Sequence, residues 1–537
     1  MIANCGHEDG LSGPSDEDVL VSSVDESAPI RDPQQAHLKR AYLMTKVYCA
    51  RQYGYTQTLH RGWKQFESFS AAFGSLYFVG GIRILFSIGI KSGAVLAEVC
   101  SAVPLSGSIY IWAADAGGPK YGRLFGFVTA FWSTTAWTSF VACNTQATTN
   151  FLISELNAFH ATFDGPLDYS NFEYRLVAWL CAQVFLALAI LTNLMPPRVF
   201  TWIFRGSFAI IMIDFVMTMT WLPIGVARTY GFQPASFLLT YYNGTGAPDI
   251  WNIMLVFLST SGVMTGFDAA GHIAEETQGA SLRTARGLFW GCAATGILAF
   301  PVLMLFLLCS PSLDVLFALD APQPFVNLYA LALGNAGQIV MTAVAIFGLF
   351  MNTSLAIVAA SRLIYAIARD GVLPGSIWIS RISEHGQPRN AVLFIWIVSA
   401  ALICTILPSQ VAFTSLVSAA GLPLITSYAL VAGARVFCTP HKYREAKWNN
   451  GPFSLPFCWI ALIWSLFLTA VLLSPYQFPV TAQTFNFGPP IWAAVTMMGI
   501  VSYFYVPESV WLSKRHFAVE HSSTGAAEAQ ARKKIRA

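Results

Sequence analysis

The chain has 537 residues, 55% hydrophobic and only 11% charged, with a net charge of +3 and a mean hydropathy of +0.54. A soluble domain carries roughly 25% charged residues, so a water-soluble globular class is excluded, and so small a net charge does not point to a nucleic-acid partner. The ten cysteines fall in tails, spans or span ends without a C-x-x-C pair, which indicates neither a disulfide framework nor a zinc site.

In chain order, residues 1–64 form a polar tail, acidic first (Glu8, Asp9, Asp16, Glu17, Asp18, Asp25, Glu26) and then basic. The acidic part reads as disordered. No apolar h-region follows Met1, so no cleavable signal peptide is expected. Apolar stretches of membrane-crossing length then recur to Leu512. They predict a transmembrane domain over 65–512 and a polar tail over 513–537. Expected spans are 66–90, 124–153, 174–194, 200–224, 250–275, 287–310, 332–366, 391–407, 411–435, 455–474 and 489–511. A second crossing belongs near 91–104, but that stretch is too short to cross a ~30 Å core at ~1.5 Å per residue.

Charge supports twelve crossings. With both termini cytoplasmic, the inner segments hold 27 Lys and Arg, while the outer loops hold Arg175 and Arg228. That asymmetry follows the positive-inside rule. Dropping the second span would put the N-terminal tail opposite every later basic loop. Asn243-Gly244-Thr245, a glycosylation sequon, falls in a loop this topology places outside. Spans one and six are both interrupted by glycine, at Gly80-Gly81 and near Thr265-Gly266, as the first members of two inverted repeats should be.

The stretch from Ile250 to Ala280 organises the rest. It starts as an apolar helix, meets Ser259, Thr260, Ser261, Gly262, Thr265, Gly266 and Asp268, then resumes and ends in Glu275 and Glu276. A helix breaks inside lipid only where protein or a water-filled cavity covers it. Its half-helix ends then attract ions. The plain alternative is a glycine kink for close packing.

Three motifs carry a family resemblance: A-E-V-C-S-A-V-P-L-S-G-S-I-Y-I-W-A-A-D-A-G-G-P-K-Y-G-R-L-F-G-F (97–127), T-G-F-D-A-A-G-H-I-A-E-E-T (265–277) and A-S-R-L-I-Y-A-I-A-R-D-G-V-L-P (360–374). Together they resemble the amino acid–polyamine–organocation permeases, in the fungal amino acid, GABA and choline permease branch. The resemblance implies an all-α polytopic membrane protein. Its core is a five-plus-five inverted repeat, with two further C-terminal helices. It implies a secondary transporter of amino acids or related amines, choline or GABA included, working by alternating access in the plasma membrane. The expected partners are a small-molecule substrate, a co-transported proton and the bilayer; no cofactor is expected. Two features depart from the pattern. Ser106 and Ser108 flank Gly107 where paired glycines are usual. Family members also carry a longer segment between the positions of Ile90 and Ala94. The second transmembrane helix is therefore read as truncated, and this form as transporting poorly or not at all.

Candidate substrate contacts are Gly80, Gly81, Ile82, Thr265, Gly266, Phe267, Asp268 and Asn352. The glycines would free backbone amides for a substrate carboxylate, or simply pack helices. Asp268 would hold an ammonium group or cap the second half-helix. Coupling or gating candidates are Arg83, Asp214, Glu275 and Arg362. An intramembrane carboxylate such as Asp214 reads as a proton or cation relay, or as a neutral acid bonded to a neighbouring helix. Arg362 and Arg369 lie near one helix face, where they would pair with Glu275 or Glu276 at an inner gate, or serve as ordinary positive-inside anchors. Trp132, Trp137 and Phe267 are gate candidates or packing residues. The pairs Gly122/Gly126 and Gly287/Gly291 read as packing devices. His272 with Glu275 and Glu276 superficially suggests metal ligands, but no third cluster converges on them. A nutrient sensor that binds without transporting is the second function class. A membrane enzyme fares badly, since no nucleophile–base pair or phosphate loop is apparent.

Overall fold

The computed structural model describes residues 59, 62–84, 108–159, 171–239, 246–263, 265–312, 315, 322–383, 386–408, 412–443, 446–476, 478–482, 484–508 and 511. Most of the two tails, the short segment 91–104, the Asn243 sequon and the side chains of Gly81 and Arg83 lie outside the described residues.

Among the described residues every regular element is helical. In order these are α1 (Gln65–Leu76), α2 (Phe78–Ile84), α3 (Ser108–Ala158), α4 (Phe172–Leu194), α5 (Pro197–Arg228), α6 (Asp249–Val263), α7 (Ala269–His272), α8 (Ala280–Leu308), α9 (Pro324–Arg369), α10 (Ser376–Ile379), α11 (Arg389–Cys404), α12 (Ala412–Phe437), α13 (Ser454–Leu473) and α14 (Gly488–Tyr505). Local chemistry sets several ends. The Asn171 side chain accepts from the Glu173 N–H at 3.0 Å and caps α4. Pro197, which needs no amide partner, opens α5.

Among the described residues six helices are long and apolar enough to cross a membrane: Phe172–Leu194, Val199–Arg228, Ala280–Leu308, Pro324–Arg369, Ser415–Phe437 and Gly451–Leu473. Other expected spans are interrupted, as α1–α2 and α6–α7, or short, as α11 with 16 residues. The fold is that of an all-α polytopic membrane protein.

Two of the long helices are each two helices joined through a glycine. Gly118 (φ 62°) precedes Pro119 in α3, and Gly334 (φ 69°) interrupts α9. At such angles a side chain is disfavoured. Span three therefore starts at Pro119 rather than 124. The ten residues before it form a helix of their own that the expected spans did not include. Asp115 lies within that segment. The structure compensates its charge with Lys442 Nζ at 2.7 Å and the Tyr443 hydroxyl at 2.5 Å.

Burial separates core from rim. The most apolar stretch of α12 is 78% buried and that of α5 only 28%, so α12 belongs to the centre and α5 to the lipid boundary. Both α12 and α9 pack along α3. The rim exposes Val184, Trp202, Ile297, Phe300, Ile463 and Phe504, an apolar surface suited to acyl chains. Four of the threonines in α3 are satisfied within the helix: Thr138, Thr145, Thr148 and Thr149 each donate to the carbonyl four residues back.

α8 lies against α1 at backbone distance. A β-carbon on Gly287 would sit 2.8 Å from Phe69 N, and one on Gly291 would sit 2.6 Å from Ala72 Cβ. This pair packs helices, as its spacing suggested. Gly126 similarly leaves room for the Trp511 ring, 2.6 Å from where its β-carbon would be.

Candidate functional site

Two helix breaks border one cavity. The first falls at Tyr77, between α1 and α2, with φ 28° and ψ 64°. The second covers the stretch between α6 and α7, where Gly266 takes φ 110°. Ser75, Leu76 and Tyr77 line the cavity from the first break; Thr265 and Gly266 line it from the second. α3 adds Trp137, Phe140, Cys143 and Asn144, α9 adds Asn352, and α12 adds Val417, Gly421 and Leu424. The space between these side chains, its open mouth included, is about 830 Å³.

The break in span six lies where the sequence put it. The break in span one is displaced: it falls at Tyr77, and Gly80 and Gly81 lie inside α2. Gly80 serves the break indirectly, because a β-carbon there would come within 2.3 Å of the Tyr77 ring. Ile82 is buried and, like Gly80, is not part of the described cavity lining.

Each break is fastened by a tyrosine–carboxylate hydrogen bond. The Tyr77 hydroxyl donates to Asp214 Oδ2 of α5 at 2.6 Å, and Thr218 donates to Oδ1 at 3.4 Å. At the second break Tyr428 of α12 donates to Asp268 Oδ1 at 2.6 Å. Asp268 stands at the start of α7 but makes no side-chain cap. Its other oxygen is 3.4 Å from the Trp137 indole nitrogen and 2.9 Å from His272 Nε2. The capping alternative is thus not what the geometry shows. Phe267 packs its ring on Tyr428, 4.9 Å between centroids, and is not part of the lining.

The Gly266 amide, expected to be free for a carboxylate, donates to the Tyr428 hydroxyl at 3.2 Å. Asn352 bridges helices: it donates to the Gly74 carbonyl at 2.5 Å and accepts from Asn144. Its α1 partner is the carbonyl just before the first break, so the amide pair sits where a ligand would meet it.

Two ion pairs follow at the end of the span-six region. The Arg369 guanidinium donates to both oxygens of Glu275, at 3.2 and 3.1 Å. Arg362 donates through Nε to Glu276 at 2.8 Å and lies over the Phe200 and Trp63 rings at 4.9 and 5.5 Å. Arg362 is fully buried. Trp63 also exchanges backbone bonds with Glu276 and Gln278, at 3.1 and 2.8 Å. The approach to α1 and the end of the span-six region are therefore tied to each other through the backbone. Glu275 and Glu276 thus face arginines, while His272 turns to Asp268 and Ser108.

Sequence reading missed Tyr77, Ser75, Asn144 and Tyr428. The available signal was a tyrosine or asparagine inside an apolar run, where a polar group needs a partner.

A membrane-embedded bundle with two broken helices around one cavity defines the class: a secondary transporter of small molecules. The amino acid permease family matches residues 65–501, and the chain belongs to that family. It is 42% identical over 512 residues to a thiamine transporter, thi9, of Schizosaccharomyces pombe, covering 87% of this chain and 86% of that protein. It is 23% identical over 535 residues to amino-acid permease BAT1 of Arabidopsis thaliana, covering 93% and 97%. Its identity to the BAT1 homolog of Oryza sativa subsp. japonica is 26% over 514 residues, covering 87% and 94%.

Proposed function

We propose that this transporter carries a small aromatic organic cation of the thiamine type, with a proton as coupling ion. The carrying observation is the cavity wall. Among its described residues it presents Tyr77, Trp137 and Phe140 with the amides of Asn144 and Asn352, and no Lys or Arg. Aromatic faces attract a cation by about 0.5–2 kcal/mol each, and amides suit the hydrogen-bonding edge of an aminopyrimidine. The Gly266 amide, which an amino acid's carboxylate would need, is held by Tyr428. The 42% identity to a thiamine transporter supports the same reading. A second reading, transport of amino acids or related amines, is favoured by the plant relatives named amino-acid permeases.

In this reading the cavity alternates between the two membrane faces, and the Arg362–Glu276 and Arg369–Glu275 pairs form the closed inner gate. Asp214 holds Tyr77 at the first break. The 27-to-2 distribution of Lys and Arg supports cytoplasmic termini, and the plasma membrane is the proposed location.

Binding is the direct test, because it does not require the full transport cycle. The purified full chain in lipid nanodiscs should bind labelled thiamine. Trp137→Ala should weaken binding at least tenfold. Gly266→Val should abolish it, because its methyls would enter the cavity between Trp137 and Ser75, now 3.8 and 3.9 Å from a β-carbon there. Binding of neutral amino acids without thiamine would transfer the assignment to the second reading.

A further inference from the structure

Beside the cavity lies a buried group whose chemistry transport of a cation leaves unused. His272 is fully buried in α7. Its Nδ1 is 2.5 Å from Ser108 Oγ of α3. Its Nε2 is 2.9 Å from Asp268 Oδ2, yet it makes no aligned hydrogen bond. From Asp268 the connection continues through Tyr428 to the Gly266 amide on the cavity wall. Among the described residues the partners of Asp268 are Tyr428, Trp137 and His272, and none of them is a lysine or arginine.

The neighbouring charges are engaged elsewhere. On α9, Arg362 and Arg369 face Glu276 and Glu275. On α1, Glu67 accepts from the Lys64 amide. On α3, Tyr110 donates to Asp370, and Asp115 meets Lys442 and Tyr443. Cys292 of α8 lies near Tyr428.

We infer that the His272–Asp268 pair is a proton-binding site, and that a proton there and a cation in the cavity exclude one another. The inference rests on the cation reading above. With neutral imidazole the group carries one negative charge, uncompensated and buried, which is costly inside a membrane protein. A proton taken from cavity water onto Nε2 or Oδ2 removes that charge and leaves an imidazolium–carboxylate pair, or a neutral pair, in its place. A substrate cation beside Gly266 offsets the same charge from the other side. Either one lowers the gain from the other, and linkage makes the effect reciprocal. At this site the two ligands therefore exchange.

Trp137 reports the proton without any substrate, because its ring stands edge-on to His272 at 5.3 Å and an imidazolium quenches indole emission. Fluorescence of the full chain in nanodiscs should show a pH step that disappears in both Trp137→Phe and His272→Gln. Thiamine affinity should fall at least tenfold across that step, and thiamine binding should release a proton. Ser108→Ala, which keeps the ring but removes its Nδ1 partner, should move the step without abolishing it; this arm decides if His272→Gln fails to fold. A step that persists in His272→Gln, or one left in place by Ser108→Ala, overturns the proposal. So does thiamine affinity independent of pH in the wild type, or pH dependence lost only in Asp214→Asn, which would put the proton at the first break. A normal step with no thiamine binding at any pH refutes the thiamine reading and leaves the proton site standing.

Discussion

The two breaks are fastened by the same bond with the roles exchanged. At the first, the broken helix supplies the tyrosine and α5 the carboxylate; at the second, the broken helix supplies the carboxylate and α12 the tyrosine. Both bonds measure 2.6 Å. The backbones differ. Gly266 reaches φ 110° without a side chain to strain, whereas Tyr77 holds φ 28° with one of the largest. A break at glycine follows from local chemistry. A break at tyrosine needs the tertiary structure to hold it, and Asp214, Gly80 and Gly348 do so: a β-carbon on Gly80 would come within 2.3 Å of the Tyr77 ring, and one on Gly348 within 2.3 Å of its hydroxyl. The second break also runs on into buried ion pairs at Glu275 and Glu276.

Removing one partner of a buried pair should have the largest effect. Arg362→Ala leaves Glu276 without its guanidinium and should lower stability by about 3–5 kcal/mol, read as the shift in thermal unfolding of the detergent-solubilised protein. A shift no larger than that of an exposed substitution would mean the second break does not depend on this pair.

Next come the fastening bonds. Tyr77→Phe and Tyr428→Phe should each cost about 1.5–3 kcal/mol, the range for a hydrogen bond to a charged group. Similar losses in the same unfolding assay would support equivalence of the two breaks. A silent Tyr77→Phe would show that packing alone holds the first.

Glycine substitutions separate strain from crowding. Gly266→Ala should cost about 1–2 kcal/mol through its backbone angle, since its new methyl meets nothing nearer than 3.8 Å. Gly287→Ala should cost about 1–3 kcal/mol through overpacking and should reduce the yield of folded protein on size-exclusion chromatography. Equal thiamine affinity in wild type and Gly266→Ala would show that the exact form of the second break does not shape the cavity.

The smallest effect belongs outside both breaks. Arg205 approaches Glu67 at 3.7 Å with its side chain 61% exposed. Arg205→Ala should change stability by less than about 0.5 kcal/mol, because water and salt screen such a pair. A larger shift in high salt than in low would contradict that account.

The sequence by itself determined the membrane class, the family motifs, the break at 264–268 and the Gly287–Gly291 contact, because hydropathy, glycine spacing and missing side chains act over a few residues. It also placed Arg362 and Arg369 on the side of α9 that meets Glu275 and Glu276. The tertiary structure decided the rest. Tyr77, rather than Gly80-Gly81, became the break, because its hydroxyl finds Asp214 137 residues away. Asp268 turned from the α7 amides to Tyr428, Trp137 and His272, groups brought to it by α12, α3 and its own helix. A buried carboxylate takes the donors the packing brings to it, and no spacing along the chain records which donors those are.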